Sequence, residues 1–346
     1  MRAFITARFT EEGRRVLEPH VADIRYGGYG RTRQKLTEQE LVEELHGVEL
    51  LLIEFEPVTR FVLDNTDLRL IGCCRNEPAA NVDLQAATER GIPVLYTPGR
   101  NSVTVAEATL GVMLALCRNI AKADYLLKHT NQLTESQHGQ VAADAAVPAE
   151  WCLDETAPFW TLRGPELHGK TLGLIGFGGI GQAVALRAKP FGMRVVVYDP
   201  FASSDSLREF DVTGMTLKEL LEESDFVSLH CKVTPETTGL IGSQELRSMK
   251  PTAYLINTAR AVIVEQEALL AALHEGWIAG AALDVYHNEP LRSDDPILRA
   301  PNTVLTPHIA GASADIPARH SAMIAEDVVR VLQGRPPRYV ANPEAL

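Results

Sequence analysis

The chain has 346 residues, enough for two domains with separate cores, and its 45% hydrophobic and 23% charged residues suit an ordinary globular protein. A formal net charge of -12 argues against non-specific binding to nucleic acid or an anionic membrane, although a small anion responds to the local field of its own site. No apolar run approaches the ~18 residues of a membrane span, and Met1-Arg-Ala-Phe-Ile-Thr-Ala7 reads as a first strand, too short and too polar for a signal peptide.

Residues 1 to about 100 alternate strand and helix patterns. Strands are predicted at Ala3–Ala7, Val48–Ile53, Leu68–Cys73 and Pro93–Leu95. A helix is predicted over Thr37–Leu45, with Thr37 as N-cap and Glu40 completing a capping box, and another over Asp83–Arg90, stopped by Gly91. Such alternation predicts a parallel sheet with helices on both faces. One long helical pattern runs from Ser102 to His129, apolar on more than one side and so expected to be buried. Residues 130–165 break the rhythm as a long loop insertion, with Trp151, Phe159 and Trp160 as possible cover for a cleft or as local packing. Alternation then resumes, with strands at Asp225–Leu229, Ala253–Ile256, Ala279–Asp284 and Thr303–Leu305, and helices near 216–223, 243–249 and 265–275. A last helical run, Ala312–Leu332, ends before Gly334 and Pro336-Pro337.

The five cysteines (Cys73, Cys74, Cys117, Cys152 and Cys231) are odd in number and lack metal-ligand spacing. No metal site is expected, and a reducing, cytoplasmic setting suits them. Vicinal Cys73-Cys74 close a predicted buried strand, which weighs against a redox pair.

The segment Thr171-Leu-Gly-Leu-Ile-Gly-Phe-Gly-Gly-Ile-Gly181 carries the most information. An apolar strand, Leu172–Ile175, enters Gly176-x-Gly178-x-x-Gly181 and leaves into the helix-forming run from Gln182 to Lys189. Gly176 allows a tight turn, Gly178 lets backbone approach a pyrophosphate, and Gly181 lets the helix pack close to its strand, while the helix N-terminus offers free N–H groups to phosphates. A second strand, Val195–Tyr198, delivers Asp199 about twenty residues on, where a carboxylate meets the adenosine ribose. Its charge would repel a 2′-phosphate, and Pro200-Phe201 brings no adjacent cation, so the expected cofactor is NAD.

Three further strand ends carry chemistry: Asn257-Thr-Ala-Arg260, Asp284-Val-Tyr-His-Asn-Glu289 and Thr306-Pro-His308-Ile-Ala-Gly311. Hydride transfer at a carbon bearing a hydroxyl needs a proton acceptor, a cation for a carboxylate and carbonyl, and a carboxylate to hold the base. His308, Arg260 and Glu289 supply that set; imidazole titrates near neutrality, and a nearby carboxylate favours its charged form. Each residue alone reads more readily as a solvated or capping side chain; their joint placement after the dinucleotide fingerprint is what sets them apart.

With these motifs in this order, nearly the whole chain resembles the NAD-dependent D-isomer-specific 2-hydroxyacid dehydrogenases, a family including D-lactate, glyoxylate and D-3-phosphoglycerate dehydrogenases. Asn81-Val-Asp-Leu84, Val105-Ala-Glu107, the Gly169–Gly181 segment, Thr234-Pro-Glu-Thr237, Ile256–Arg260, Asp284-Val and Thr306–Gly311 carry the resemblance. It implies two doubly wound α/β domains flanking an active-site cleft: a flavodoxin-like substrate domain over 1–101 plus 312–346, and a Rossmann NAD domain over 102–311. It implies a catalytic set of Arg260, Glu289 and His308. Gly179 and Ile180 would lie on the pyrophosphate and Asp199 on the ribose, with Asp284 facing the nicotinamide carboxamide and Thr104, His230, Cys231, Thr258, Ala259 and Gly311 lining the cofactor. It further implies a small anionic 2-oxo or 2-hydroxy acid as substrate, a homodimer, and no nucleic-acid or membrane partner. With Leu346 at the end, no C-terminal regulatory domain is expected.

The chain departs from the family between Cys74 and Asn81. A glycine-rich loop there usually offers successive N–H groups to the substrate carboxylate, whereas this chain has Arg75-Asn-Glu-Pro-Ala-Ala80. Pro78 has no N–H and Glu77 brings negative charge. Arg75 and Asn76 are therefore the candidate substrate anchors, the alternative for Arg75 being an ion pair with Glu77 or Asp83. Ala261 replaces a frequent glycine after the arginine. Glu289, where formate dehydrogenases carry Gln, speaks against that branch, and phosphite oxidation is a rarer possibility. A different class, an NAD(H)-sensing binding protein with little turnover, would keep the fingerprint without needing the catalytic set.

Overall fold

Short runs of Leu, Ile and Val that are hydrophobic at every position form the centres of two parallel sheets, because helices cover both faces and leave no polar side. The computed structural model describes residues 1–130, 133 and 155–346, so most of the expected 130–165 insertion, including Trp151 and Cys152, lies outside the described residues. The chain divides into two compact units, Met1–Asn101 with Ala312–Leu346, and Ser102–Gly311.

In the first unit β1 (Arg2–Ile5), β2 (Asp23–Tyr26), β3 (Leu50–Ile53), β4 (Leu70–Cys73) and β5 (Val94–Tyr96) run parallel in the order β2-β1-β3-β4-β5. This is the doubly wound order of flavodoxin-like folds. Phe4, Leu51, Ile53 and Ile71 pack on one face against Leu41, Val62 and Ala86. Ile5, Leu50, Leu52 and Leu70 pack on the other against Leu17, Ile324 and Val328. Fully burying such a side chain stabilises the fold by roughly 1.5–3 kcal/mol. Helix Glu38–Glu44 begins as expected: Thr37 Oγ1 accepts the Glu40 amide at 3.3 Å, and the Glu40 carboxylate accepts the Thr37 amide at 2.8 Å.

In the second unit β6 (Thr171–Ile175), β7 (Arg194–Tyr198), β8 (Thr213–Gly214), β9 (Phe226–Leu229), β10 (Tyr254–Asn257), β11 (Gly280–Leu283) and β12 (Thr303–Leu305) are also parallel. Their order, β12-β11-β10-β9-β6-β7-β8, is that of a Rossmann sheet extended by one strand, with the topological switch between β6 and β9. Leu172, Leu174, Val195 and Val197 face helices Ser102–Cys117 and Gly179–Ala188, and Val196, Val227, Leu229 and Leu255 fill the opposite face.

Helices Glu11–Leu17, Gly28–Thr32, Arg60–Asp64 and Ser204–Glu209 add to the expected elements, and three further features depart from them. Strands β2 and β8 were not anticipated, since β2 is only half-buried and β8 is exposed, which removes the apolar run that marks a strand. The predicted helix from Ser102 to His129 is two helices, Ser102–Cys117 and Ile120–His129, bent by 64°. Asn119 makes the break: its φ is +54° and its side-chain amide donates to the Leu162 carbonyl at 3.1 Å. The last helix starts at Ile316 rather than Ala312.

Candidate active site

The fingerprint occupies the carboxyl end of β6, beside the switch point where ligands of open parallel sheets bind. Its glycines divide into two kinds. Gly176 has φ +96°, and a methyl group there would lie 2.5 Å from the Cys231 amide nitrogen, so the fold itself requires it. Gly178 has nothing within 4 Å of the position a Cβ would take. Nothing among the described residues requires glycine there, and the open backbone leaves room of the kind a pyrophosphate fits. Gly179 and Ile180 open the helix whose first turn buries Gly181. Asp199, at the end of β7, accepts the Phe177 amide at 2.7 Å and the Phe201 amide at 2.8 Å. Its carboxylate is thus locked to the turn, with lone pairs left for ribose hydroxyls.

At the end of β9, His230 is partly buried, and desolvation pushes its imidazole down to about 3, so it is neutral. One ring nitrogen lies 2.9 Å from Ser228 Oγ, while Nδ1 is buried without a hydrogen-bond partner. Burial raises the Cys231 thiol, which therefore stays protonated. Thr258 is buried at the end of β10 with its hydroxyl 3.0 Å from that of Thr109. Thr104 stands partly exposed in the first turn of helix Ser102–Cys117, and Gly311 is partly exposed after the loop that follows β12.

The acid, the base and the cation come from the ends of β10, β11 and β12. Asn257 shapes the first loop by accepting the Ala259 amide at 3.0 Å and donating to the Arg260 carbonyl at 3.0 Å. Arg260 then projects outward, donating to the Ala259 carbonyl at 2.7 Å and forming no ion pair among the described residues. Glu289 and His308 meet directly, Nδ1 to Oε2 at 2.6 Å, while the Tyr286 amide donates to the other Glu289 oxygen at 2.9 Å. A carboxylate only accepts, so His308 Nδ1 carries the proton and Nε2 presents its lone pair outward. The hydrogen bond from His308 holds the Glu289 carboxyl below the usual carboxylate range; desolvation opposes this, and the Tyr286 amide and the charges of His308 and Arg260 assist.

His308 itself has φ +55°, an unfavourable conformation for a side-chain-bearing residue. The buried Asp284 holds that loop in place. It accepts the Thr306 hydroxyl at 2.6 Å and the Ile309 and Ala310 amides at 2.8 Å each. Asp284 was expected to face the cofactor; both its oxygens are engaged in shaping the His308 loop. Asn257, Ser228 and Tyr286 were not singled out from the sequence, and only their strand-end positions in the segments already highlighted would have pointed to them.

In the first unit the Arg75 guanidinium lies 5.1 Å from the Phe55 ring centroid and forms no ion pair among the described residues, so the alternative pairing with Glu77 or Asp83 does not occur. Asn76 donates to the Asn101 side chain at 2.9 Å. The Asn81 and Val82 amides both turn back to the Pro78 carbonyl at 2.9 Å, so this loop spends them internally. Arg75 and Asn76 add side-chain donors to this loop, in which Pro78 interrupts the run of amides.

Comparison with known proteins fits this arrangement. Residues 110–310 match the D-isomer specific 2-hydroxyacid dehydrogenase NAD-binding domain. The chain belongs to the D-isomer-specific 2-hydroxyacid dehydrogenase family. It is 41% identical to a glyoxylate reductase of Korarchaeum cryptofilum over 77% of this chain and 74% of that one. It is 33% identical to a glyoxylate reductase of Pyrococcus furiosus over 100% of this chain and 96% of that one. The NAD-complexed D-isomer specific 2-hydroxyacid dehydrogenase of Lactobacillus delbrueckii ssp. bulgaricus superposes with a TM-score of 0.74 at 25% identity, covering 99% of each chain. The protein is an NAD-dependent 2-hydroxyacid dehydrogenase, and its cofactor is NAD.

Proposed function

We propose that this dehydrogenase interconverts a small D-2-hydroxy acid and its 2-oxo acid, with His308 as acid–base group, Glu289 as its orienting carboxylate and Arg260 as the cation that holds substrate. The 2.6 Å contact between His308 Nδ1 and Glu289 carries this reading. It leaves Nε2 as the nitrogen free to exchange a proton with the substrate oxygen. Bound NAD supplies a hydride acceptor, and its reduced form a donor. In oxidation His308 takes the hydroxyl proton and the Glu289 carboxylate stabilises the imidazolium; in reduction His308 returns it. Arg260, free of any carboxylate among the described residues, can grip the substrate's carboxylate and polarise the carbonyl.

The cofactor would be held by Gly176, Gly178, Gly179, Ile180 and Gly181 at the pyrophosphate and by Asp199 at the ribose. Thr104, His230, Cys231, Thr258, Ala259, Asp284 and Gly311 would line the remainder. Arg75 and Asn76 are assigned to the substrate, because Pro78 has no N–H and the Arg75 guanidinium forms no ion pair among the described residues. The unit Met1–Asn101 with Ala312–Leu346 would serve as substrate domain and Ser102–Gly311 as NAD domain. The enzyme is assigned as a homodimer: Ile120, Tyr125 and Leu127 leave helix Ile120–His129 with exposed apolar side chains, and Phe159 is exposed nearby in sequence. A cytoplasmic location suits the free cysteines Cys73, Cys74, Cys117 and Cys231. Among the described residues no single helix is long and apolar enough to cross a membrane.

The test follows NADH oxidation against glyoxylate, pyruvate, hydroxypyruvate, phosphohydroxypyruvate and bulkier 2-oxo acids, with NADPH in parallel. One acid should turn over, and NADH should be preferred by at least about tenfold, because the Asp199 carboxylate repels a 2′-phosphate. NADH binding without turnover of any acid would instead support an NAD(H)-sensing protein.

A further inference from the structure

We infer that Tyr286 is a positioning residue for the His308–Glu289 pair, a strut that ties together the two strand-end loops carrying its members. This rests on the assignment of His308 as the acid–base group.

Tyr286 touches both halves of the pair through different atoms. Its amide donates to Glu289 Oε1 at 2.9 Å, fixing the carboxylate whose other oxygen meets His308. Its phenol hydroxyl lies 2.9 Å from the Thr306 carbonyl and 3.1 Å from the Leu283 carbonyl. The same Thr306 carbonyl accepts the His308 amide at 3.0 Å. The hydroxyl therefore grips the end of β11 and the turn after β12 at once, and that turn holds His308 at φ +55°. The ring between these two ends packs against the buried core under the sheet, so it cannot swing freely. Burial, with the nearby Asp284 charge, pushes the phenol up to about 12. The hydroxyl keeps its proton throughout any ordinary assay range and remains a donor.

Asp284 already holds Thr306, Ile309 and Ala310. It ties the first residue of Glu289's loop to His308's, but none of those contacts reaches residues 286–289, where the carboxylate itself is held. Apart from His308 itself, Tyr286 is the residue whose hydrogen bonds, among the described residues, reach both Glu289 and the Thr306 carbonyl. A displacement of either partner would lengthen the 2.6 Å bond, and acid–base transfer depends on that alignment.

The test is Tyr286→Phe, which keeps the ring and removes only the hydroxyl, assayed with whichever 2-oxo acid turns over best. One lost hydrogen bond predicts a fall in kcat of about 3- to 10-fold, with the KM for NADH and the dissociation constant of NADH unchanged. In a double-mutant cycle with Glu289→Gln, the tyrosine substitution should cost less than about twofold, because its route of action has already been cut. Unchanged kcat would overturn the inference. So would full additivity with Glu289→Gln, or a loss of kcat matched by equal losses in NADH affinity and thermal midpoint, which would mark a general structural role. His308→Gln is measured first: if that variant retains wild-type turnover, the acid–base assignment itself fails, a result distinct from failure of the strut.

Discussion

Each of the two units gathers a glutamate, a histidine and arginine, yet the two sets live under opposite physical conditions. In the first unit Glu54 is wholly buried and accepts Arg8 at 2.6 Å and Arg100 at 3.0 Å. His320, also buried, has Arg100 Nη1 2.9 Å from Nδ1 and the Arg8 carbonyl 2.5 Å from Nε2. A guanidinium only donates, so Nδ1 must accept and Nε2 must carry the proton. Both ring nitrogens are therefore occupied, and the carboxylate is saturated. In the second unit Glu289 and His308 are 35% and 46% exposed, one imidazole nitrogen is unengaged, and Arg260 has no ionic partner among the described residues. The same three residue types make structure where every valence is filled and chemistry where some are left open.

The largest expected effect separates the two sets by function. Replacing His308 with Gln should lower kcat by about 10²–10⁴-fold, the usual contribution of a positioned acid–base group, while leaving the affinity for NADH within about twofold. Steady-state rates together with a fluorescence titration of NADH read both quantities. A loss of turnover accompanied by collapse of cofactor binding would mean that His308 is structural, and the contrast with His320 would disappear.

The next effect separates them by stability. Glu54→Ala leaves two guanidinium groups without their shared carboxylate, and breaking a buried pair costs roughly 3–5 kcal/mol. The lower end applies because Arg8 is 30% exposed and can recover some hydration. Glu289→Ala removes an exposed partner and should shift stability by less than about 1 kcal/mol. Urea unfolding of both variants checks the difference. Equal losses would show that exposure does not divide the two sets as argued here.

Much of one set is legible in the sequence, and little of the other. Arg260, Glu289 and His308 each follow a short apolar run, so their place at the ends of parallel strands is written locally. The fingerprint is local too, down to the difference between Gly176 and Gly178. His320 meets Arg100 across 220 positions, from the start of a helix that carries no motif, and no periodicity marks such a pairing. Tyr286 escaped notice because its function lies in which carbonyls its hydroxyl reaches, a matter of register between β11 and β12. Asn119 was hidden for a related reason: a break in an apolar helix depends on a side-chain bond to Leu162, beyond the reach of pattern. Edge strands β2 and β8 lack the buried run by which the central strands are recognised.

The smallest effect concerns pH. Burial lowers the His320 imidazole below its ordinary 6.5, with Glu54 and the Arg8 carbonyl opposing and Arg8 and Arg100 reinforcing. Folding therefore keeps His320 neutral where the unfolded chain would take a proton. The stability from the neutral form is fully present above the ordinary histidine value of about 6.5 and drains away as pH falls toward the lowered value. His230 in the second unit obeys the same sign, with its window reaching down to about 3. Glu54, held below the carboxylate range by Arg8 and Arg100 against its own burial, contributes only at lower pH still. Unfolding midpoints at about pH 7.5 and 5.5 should thus fall in the wild type, and the fall should shrink in His320→Gln, whose amide cannot titrate. If the variant loses as much stability as the wild type between the two pH values, the Glu54–Arg100–His320 network is not the closed, proton-excluding set described here, and its contrast with the open set at His308 loses its physical basis.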